Sequence, residues 1–232
     1  KGKFILKTIN RFSGIDWGTK DMAIAYDTWW NTRNRKSYVF NPSNPNIKPK
    51  IISDRNYQDT YSDPGNFLRS RNEFNRSVLK MHYGNIFLRG QGFSPSGQFP
   101  FIDKVNTKTF EKTRVYQSSY TDKIESIIDY DPKKNQLTVS IESPSEYPNY
   151  YTKKVKSGKL EKLTNLKNPF LELQNVKKEK ITYLRNDGVE LSGILYLPLN
   201  YDKEKKEKMP MILWAYPRAV SYTHLTLPTT LQ

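Results

Sequence analysis

A mainly β fold, built from repeated antiparallel blades, is what this sequence predicts, on three observations. Up to about Asn168 the chain is a series of short segments rich in Tyr, Phe, Val, Ile and Thr, residues that suit a pleated, half-buried surface. Little of that stretch carries the 3.6-residue apolar spacing of an amphipathic helix. The segments also recur in one grammar, an aromatic-rich strand followed by a polar turn and a basic or Thr-bearing strand.

Taken in order, FILKTIN and DMAIAYDTWW make an opening strand pair, and KSYVFNP with KPKIISD completes the first unit. GNIFLRG then leads into FPFIDKV and KTRVYQSS, which repeat the aromatic-then-basic order. KIESIIDYDPKKNQLTVSIES is a second strand pair, and NYYTKKV with KLEKLT closes the third unit. Turn chemistry separates these strands at Ser94–Gly97 (SPSG), Asp131–Asn135 (DPKKN) and Lys156–Lys159 (KSGK). The aromatic centres Tyr38, Phe101 and Tyr151 recur at about 50–60 residues, and four strands at that period is the arithmetic of a β-propeller blade. The chain holds about three such blades, too few to close a ring. A β-sandwich is the structural alternative.

From Lys177 the grammar changes. Asn186-Asp187-Gly188 suits the positive φ of a tight hairpin turn, and VELSGILYLP alternates up to Pro198. A charged loop, NYDKEKKEK, leads to MPMILWAYPR, a continuous apolar run typical of a strand covered on both faces.

Composition narrows the function classes. The 232 residues carry a net charge of +15 with 26% charged and 36% hydrophobic residues, a folded, polar-surfaced chain. The lysines scatter instead of interleaving with stacking aromatics, so no nucleic-acid partner is expected. No run reaches the roughly 18 apolar residues of a membrane span. With no cysteine and two histidines, neither a metal site nor a cofactor is expected. No secretory segment opens the chain, which begins at Lys1; the compartment stays open, with export or the periplasm included for a bacterial source.

Two residues invite a catalytic reading and lose it. GFSPSG at Gly92–Gly97 looks like a nucleophile elbow, but its spacing is one residue too long, Pro95 follows the serine and a strand comes next. It reads as a hairpin turn inside a blade. His82 lies in VLKMHYGNIFLRG, an apolar strand-like run, and reads as structural.

The segment KKEKITYLRNDGVELSGILYLPLNYD resembles the start of the catalytic domain in the prolyl oligopeptidase family of serine peptidases, at Asp187, Gly188, Leu191, Gly193, Leu195, Tyr196 and Pro198. LWAYPR, with GQGFSPSGQFPFIDKVNTKT, VYQSSY, ESPSEYPNYY and LTNLKNPF, is similar to the glutamyl endopeptidase branch of that family. The resemblance implies the C-terminal blades of a β-propeller over residues 1–175, followed at 176–218 by the first strands of an α/β-hydrolase domain. It further implies peptide substrates with glutamate before the scissile bond, and acyl transfer through Ser, His and Asp with an oxyanion hole.

In that branch all three triad members lie beyond the MPMILWAYPR strand, so the resemblance implies a fragment that is itself inactive. It leaves one catalytic candidate. In prolyl oligopeptidase a tyrosine just after the corresponding strand donates to the developing oxyanion, and Tyr216 takes that place. The other reading of Tyr216 is packing at a strand end, and Pro217 and Arg218 stand where that enzyme has glycines. Residues 219–232 carry no charge, and VSYTHLTLPT within them resembles a translated sequencing-library adapter; a non-native tail is expected there. The rival functional class is a stand-alone binding propeller with no enzymatic domain.

Overall fold

The computed structural model describes residues 2, 4–173, 176–205 and 208–214. Among them the regular structure is strand throughout, apart from one 3-10 turn at Leu171–Leu173. The described residues fall into two compact units, one running to Asn165 and the other starting at Leu166.

In the first unit the leading sheet is a meander of β1 (Arg11–Thr19), β2 (Met22–Trp29), β3 (Asn34–Phe40) and β4 (Lys50–Asn56), hydrogen-bonded in that order. The next stretch forms β5 (Asn66–Phe67), a ribbon of β6 (Arg69–Arg71) and β7 (Ser77–Leu79), β8 (Met81–His82) and β9 (Asn85–Gly90). A small hairpin of β10 (Phe93–Ser94) and β11 (Gly97–Gln98) follows, then β12 (Phe101–Asn106) and β13 (Lys112–Gln117). The second sheet has the order β13-β12-β9-β5, with β8 paired to the start of β9. The third sheet is again a plain meander, of β14 (Ile124–Asp131), β15 (Gln136–Glu142), β16 (Asn149–Lys154) and β17 (Leu160–Lys162).

Alternation along the central strands explains how these sheets pack. On β2, Ala23 and Ala25 face a cluster with Tyr38 and Phe40, while Met22, Ile24 and Tyr26 face the other way. That second face meets Ile86 and Leu88 of β9 and Val105 of β12. Phe87, between them on β9, points oppositely and joins Ile127, Leu137, Val139 and Ile141 of the third sheet. The middle sheet is therefore covered on both faces, and the three sheets, of four, five and four strands, stack face to face as propeller blades do. Tyr38, Phe101 and Tyr151 each sit on the third strand of their sheet, as the repeat in the sequence requires.

The second unit carries an antiparallel hairpin of β18 (Lys177–Leu184) and β19 (Glu190–Leu197), paired without a register break from Lys177↔Leu197 to Leu184↔Glu190. Its turn takes the expected form, with Gly188 at φ 82° and the Gly188 amide donating to the Arg185 carbonyl.

Four sequence expectations change. FILKTIN forms no strand; the first is Arg11–Thr19, which lacks clean alternation and is held by backbone pairing to β2 with two register shifts. The Asn10 amide and side chain bond Asp27, which anchors the chain at the entry to β1. The second blade is interrupted by the β6–β7 ribbon. SPSG turns a hairpin of its own, in a separate two-stranded ladder outside the blade sheets. There Gly92 adopts φ +64°, and a Cβ would lie 1.9 Å from the Phe99 carbonyl oxygen, so no other residue fits. Finally, Met209–Trp214 forms no strand and its large side chains are 50–94% exposed, because no described strand pairs with it. Of the expected α/β-hydrolase part, only the β18–β19 hairpin forms a sheet among the described residues.

Candidate functional site

Tyr216, the catalytic candidate from the sequence, lies outside the described residues, as do Pro217, Arg218 and residues 219–232. The two residues set aside by the sequence reading are both placed. His82, on β8, packs its ring against Tyr83 with centroids 4.2 Å apart, and its imidazole bonds no serine or carboxylate among the described residues. Ser94 Oγ donates to the Gly97 carbonyl at 3.0 Å and lies 3.0 Å from Ser96 Oγ, a turn contact with no base beside it.

Buried acids form the most concentrated chemistry in the first unit. Glu125 of β14 is 1% exposed; one carboxylate oxygen accepts from Lys153 Nζ of β16 at 2.8 Å and the other from the Tyr116 hydroxyl of β13. Lys153 also donates to Tyr116 Oη at 2.6 Å. Burial and the neighbouring Glu125 push the Tyr116 phenol far above its ordinary pKa. Asp16 of β1 accepts from the Tyr26 hydroxyl at 2.7 Å and pairs with Arg69 at 2.6 Å. Asp27 of β2 accepts from Tyr38 at 2.6 Å and from Asn10, and burial with that bond holds the Tyr38 phenol up at about 12. Each acid's strong donors come from the protein itself, so these networks tie strands together and leave no proton poised for a substrate.

A cavity of about 180 Å³ between the first and second sheets has a different character. Arg35 of β3 and Arg55 of β4 stand directly opposite each other in the ladder, and Ser37 stands opposite Ser53 one step along the same face. Lys112 of β13 closes the far side. Asp63 is the one carboxylate lining the cavity; it lies 3.6 Å from Arg55, whose guanidinium also donates to the Asp59 carbonyl. Arg35 stacks over the Tyr26 ring at 4.6 Å and makes no ion pair among the described residues, and neither does Lys112. The Nε of Arg55 is buried with no hydrogen-bond partner. Sequence reading missed this cluster, since the signal for it is only the i, i+2 spacing of RNRKS and SDR. Among the described residues no group of His, Cys, Asp and Glu could hold a metal ion, and no helix is long and apolar enough to cross a membrane.

The chain resembles known proteins along most of its length. It is 32% identical over 222 residues to a chloroplast protein of Arabidopsis thaliana described as a probable glutamyl endopeptidase, covering 89% of this chain and 23% of that protein. Its counterpart in Oryza sativa subsp. japonica is 31% identical over 221 residues, covering 89% of this chain and 24% of the relative. The chain thus spans about a quarter of the length of these relatives. Among solved structures, oligopeptidase B from Trypanosoma brucei with covalently bound antipain aligns at a TM-score of 0.45 and 12% identity, over 84% of this chain and 26% of that one. No family model matches.

Proposed function

We infer, taking this chain as a segment of a prolyl oligopeptidase-family peptidase of the glutamyl endopeptidase branch, that it supplies part of the substrate-gating propeller and the entry into the catalytic domain. The observation that carries this reading is the 32% identity sustained over 89% of the chain, blades and β18–β19 hairpin alike. Residues 1–175 are the blade segment and 176–218 the start of the peptidase domain. The stacked blades support the gating role: a propeller over an active site admits flexible peptide and excludes folded protein.

The intact enzyme is a serine peptidase that cleaves after glutamate. In it serine attacks the scissile carbonyl, histidine takes and returns the proton, and aspartate orients the histidine. None of the three belongs to this chain, which is inactive alone. Tyr216 contributes a neutral phenolic donor where negative charge develops on the carbonyl oxygen. Pro217 and Arg218 follow it in the sequence where prolyl oligopeptidase has glycines.

The test pairs this chain with the intact enzyme. The intact enzyme should label with a fluorophosphonate and cleave a peptide containing glutamate far faster than its glutamine counterpart, and this chain should do neither. Replacing the tyrosine (Tyr216→Phe) in the intact enzyme should lower kcat by about 10²–10³ with little change in KM, the loss typical of an oxyanion donor. A stoichiometric label on any serine of this chain overturns the placement of the triad.

A further inference from the structure

Arg35 and Arg55 occupy directly opposed positions on β3 and β4, a placement of like charges that folding alone disfavours. Like charges directly opposite in an antiparallel ladder repel, and neither partner is relieved in full. Arg35 has only an aromatic face beneath it, while Arg55 has the lone lining carboxylate, Asp63, at the long distance of 3.6 Å, and the field of Asp59 from outside the lining. Lys112 adds a third cation on the opposite wall without adding an acid. Nearby Asp16 offers no relief, because Tyr26 and Arg69 already occupy it.

We propose that this cavity binds a carboxylate carried on a short apolar stem, the chemistry of a glutarate-like diacid or of a single acidic side chain. Charge sets the sign of the ligand: the lining carries three cations against one carboxylate. Size sets its class. A volume of about 180 Å³ is below the roughly 300–1,000 Å³ of drug-sized sites and excludes a nucleotide. The walls select the stem. Ile52, Phe67, Leu88, Val105 and Phe110 line the apolar side, which suits methylenes and leaves a fully hydrated inorganic anion poorly covered. Ser37 and Ser53 bring hydroxyl donors to the cavity, and the opposed guanidiniums bring forked ones.

The roof of the cavity is built to stay in place. Tyr57, Asp63, Pro64 and Gly65, from the connection after β4, line the cavity, and Gly65 at φ +85° lies so close to β9 that a Cβ would sit 2.3 Å from the Arg89 carbonyl oxygen. The site is thus preorganised by backbone contact, which lowers the ordering cost of binding. It is read out by binding alone, so it stands or falls separately from the peptidase reading.

The experiment is calorimetric titration of the full chain, at low salt and neutral pH, with glutarate, a blocked pentapeptide carrying one Glu, the same peptide with Gln, and inorganic phosphate. Saturable binding of glutarate, of the Glu peptide or of both is expected, with the Gln peptide silent. Glutarate alone identifies a free acid as the source, and the Glu peptide identifies an acidic side chain. Affinity should fall by about tenfold or more in Arg35→Gln, the loss of a charged hydrogen-bond donor, and severalfold in Lys112→Gln. Lys112 is exposed and unpaired, so that variant keeps the fold whatever Arg35→Gln does. Lys108→Gln, on the exposed turn outside the cavity, should bind as the parent chain does. The proposal is overturned by no saturable binding of either carboxylate up to ~10 mM, by unchanged affinity in Lys112→Gln and Arg35→Gln, or by phosphate binding as tightly as the carboxylates.

Discussion

Replacing the buried Lys153 with methionine should destabilise the first unit, because it leaves the Glu125 carboxylate without its cation. Glu125, 1% exposed, shares its carboxylate between Lys153 at 2.8 Å and the Tyr116 hydroxyl. Methionine fills the lysine stem's volume but removes the cation, so the carboxylate stays buried with one strong donor. Breaking a buried pair this way costs about 3–5 kcal/mol. Tyr116 keeps one oxygen satisfied, which places the expected loss in the lower half, about 3–4 kcal/mol. The lost contacts of the ammonium over the Tyr116 and Tyr120 rings, at 4.9 and 4.8 Å, keep it from falling below that. At about 2–4 °C per kcal/mol for a domain of this size, the melting temperature should drop by about 6–16 °C.

The assay is urea unfolding of the full chain by circular dichroism, run as a double-mutant cycle with Glu125→Gln. The double variant buries no charge and should recover at least half of the loss, a coupling of about 1–3 kcal/mol. A Lys153→Met cost below about 1 kcal/mol, or a double variant as unstable as the two single losses added, would falsify the claim that this pair is held as a buried unit.

Three further outcomes follow from other contacts. Tyr38, raised to about 12 in the folded chain against an ordinary 10.0, stays protonated when the unfolded chain has ionised; stability should therefore be intact below pH 10 and decline as pH rises through 10–12. An alkaline unfolding series should show this decline, less steep in Tyr38→Phe; an unchanged slope in the variant assigns the effect elsewhere. Gly92→Ala should cost about 1–3 kcal/mol, since both its positive φ and the Phe99 carbonyl oppose a Cβ, with the loss visible as a lowered urea midpoint. Ending the chain at Val176 should raise solubility, measured by light scattering against the full chain, because Met211, Ile212, Leu213 and Trp214 are all more than 70% exposed.

How much of this was legible in the sequence depends on whether a strand is held by its own side chains or by its neighbours. β2, β12, β15 and β16 carry their own aromatic and β-branched residues, and the sequence reading finds each within a residue or two. β1 has Gly14 and Gly18 in RFSGIDWGT and owes its place to pairing with β2, so no local pattern marks it. The β6–β7 ribbon is equally silent, being stabilised by the turn in which the Asn72 side chain accepts from the Phe74 and Arg76 amides. MPMILW errs the other way: its apolar composition announces a covered strand, but coverage is a tertiary property, and no described strand lies beside it.

The site residues follow the same division, and the stacking of the sheets explains why charge is buried here at all. Sheets stacked face to face bury polar as well as apolar residues at their contacts, including acids on β1, β2, β12 and β14. Asp16, Asp27, Asp103 and Glu125 each meet this cost with a donor from another strand or from the chain beside it: Arg69 and Tyr26, Tyr38 and Asn10, Arg114, Lys153 and Tyr116. Composition predicts that such partners must exist, since an unpaired buried charge costs several kcal/mol. Which residues they are depends on register, and register is set by turns and bulges whose effects no single strand displays. Arg35 and Arg55 are where that logic departs from its own rule. The same register that gives each buried acid a donor sets two arginine positions opposite each other beside a pair of serines, and the cavity lining offers only Asp63 to offset them, with Asp59 acting on Arg55 from outside it. Within the lining three cations still face one carboxylate, and the proposed carboxylate ligand would meet that excess.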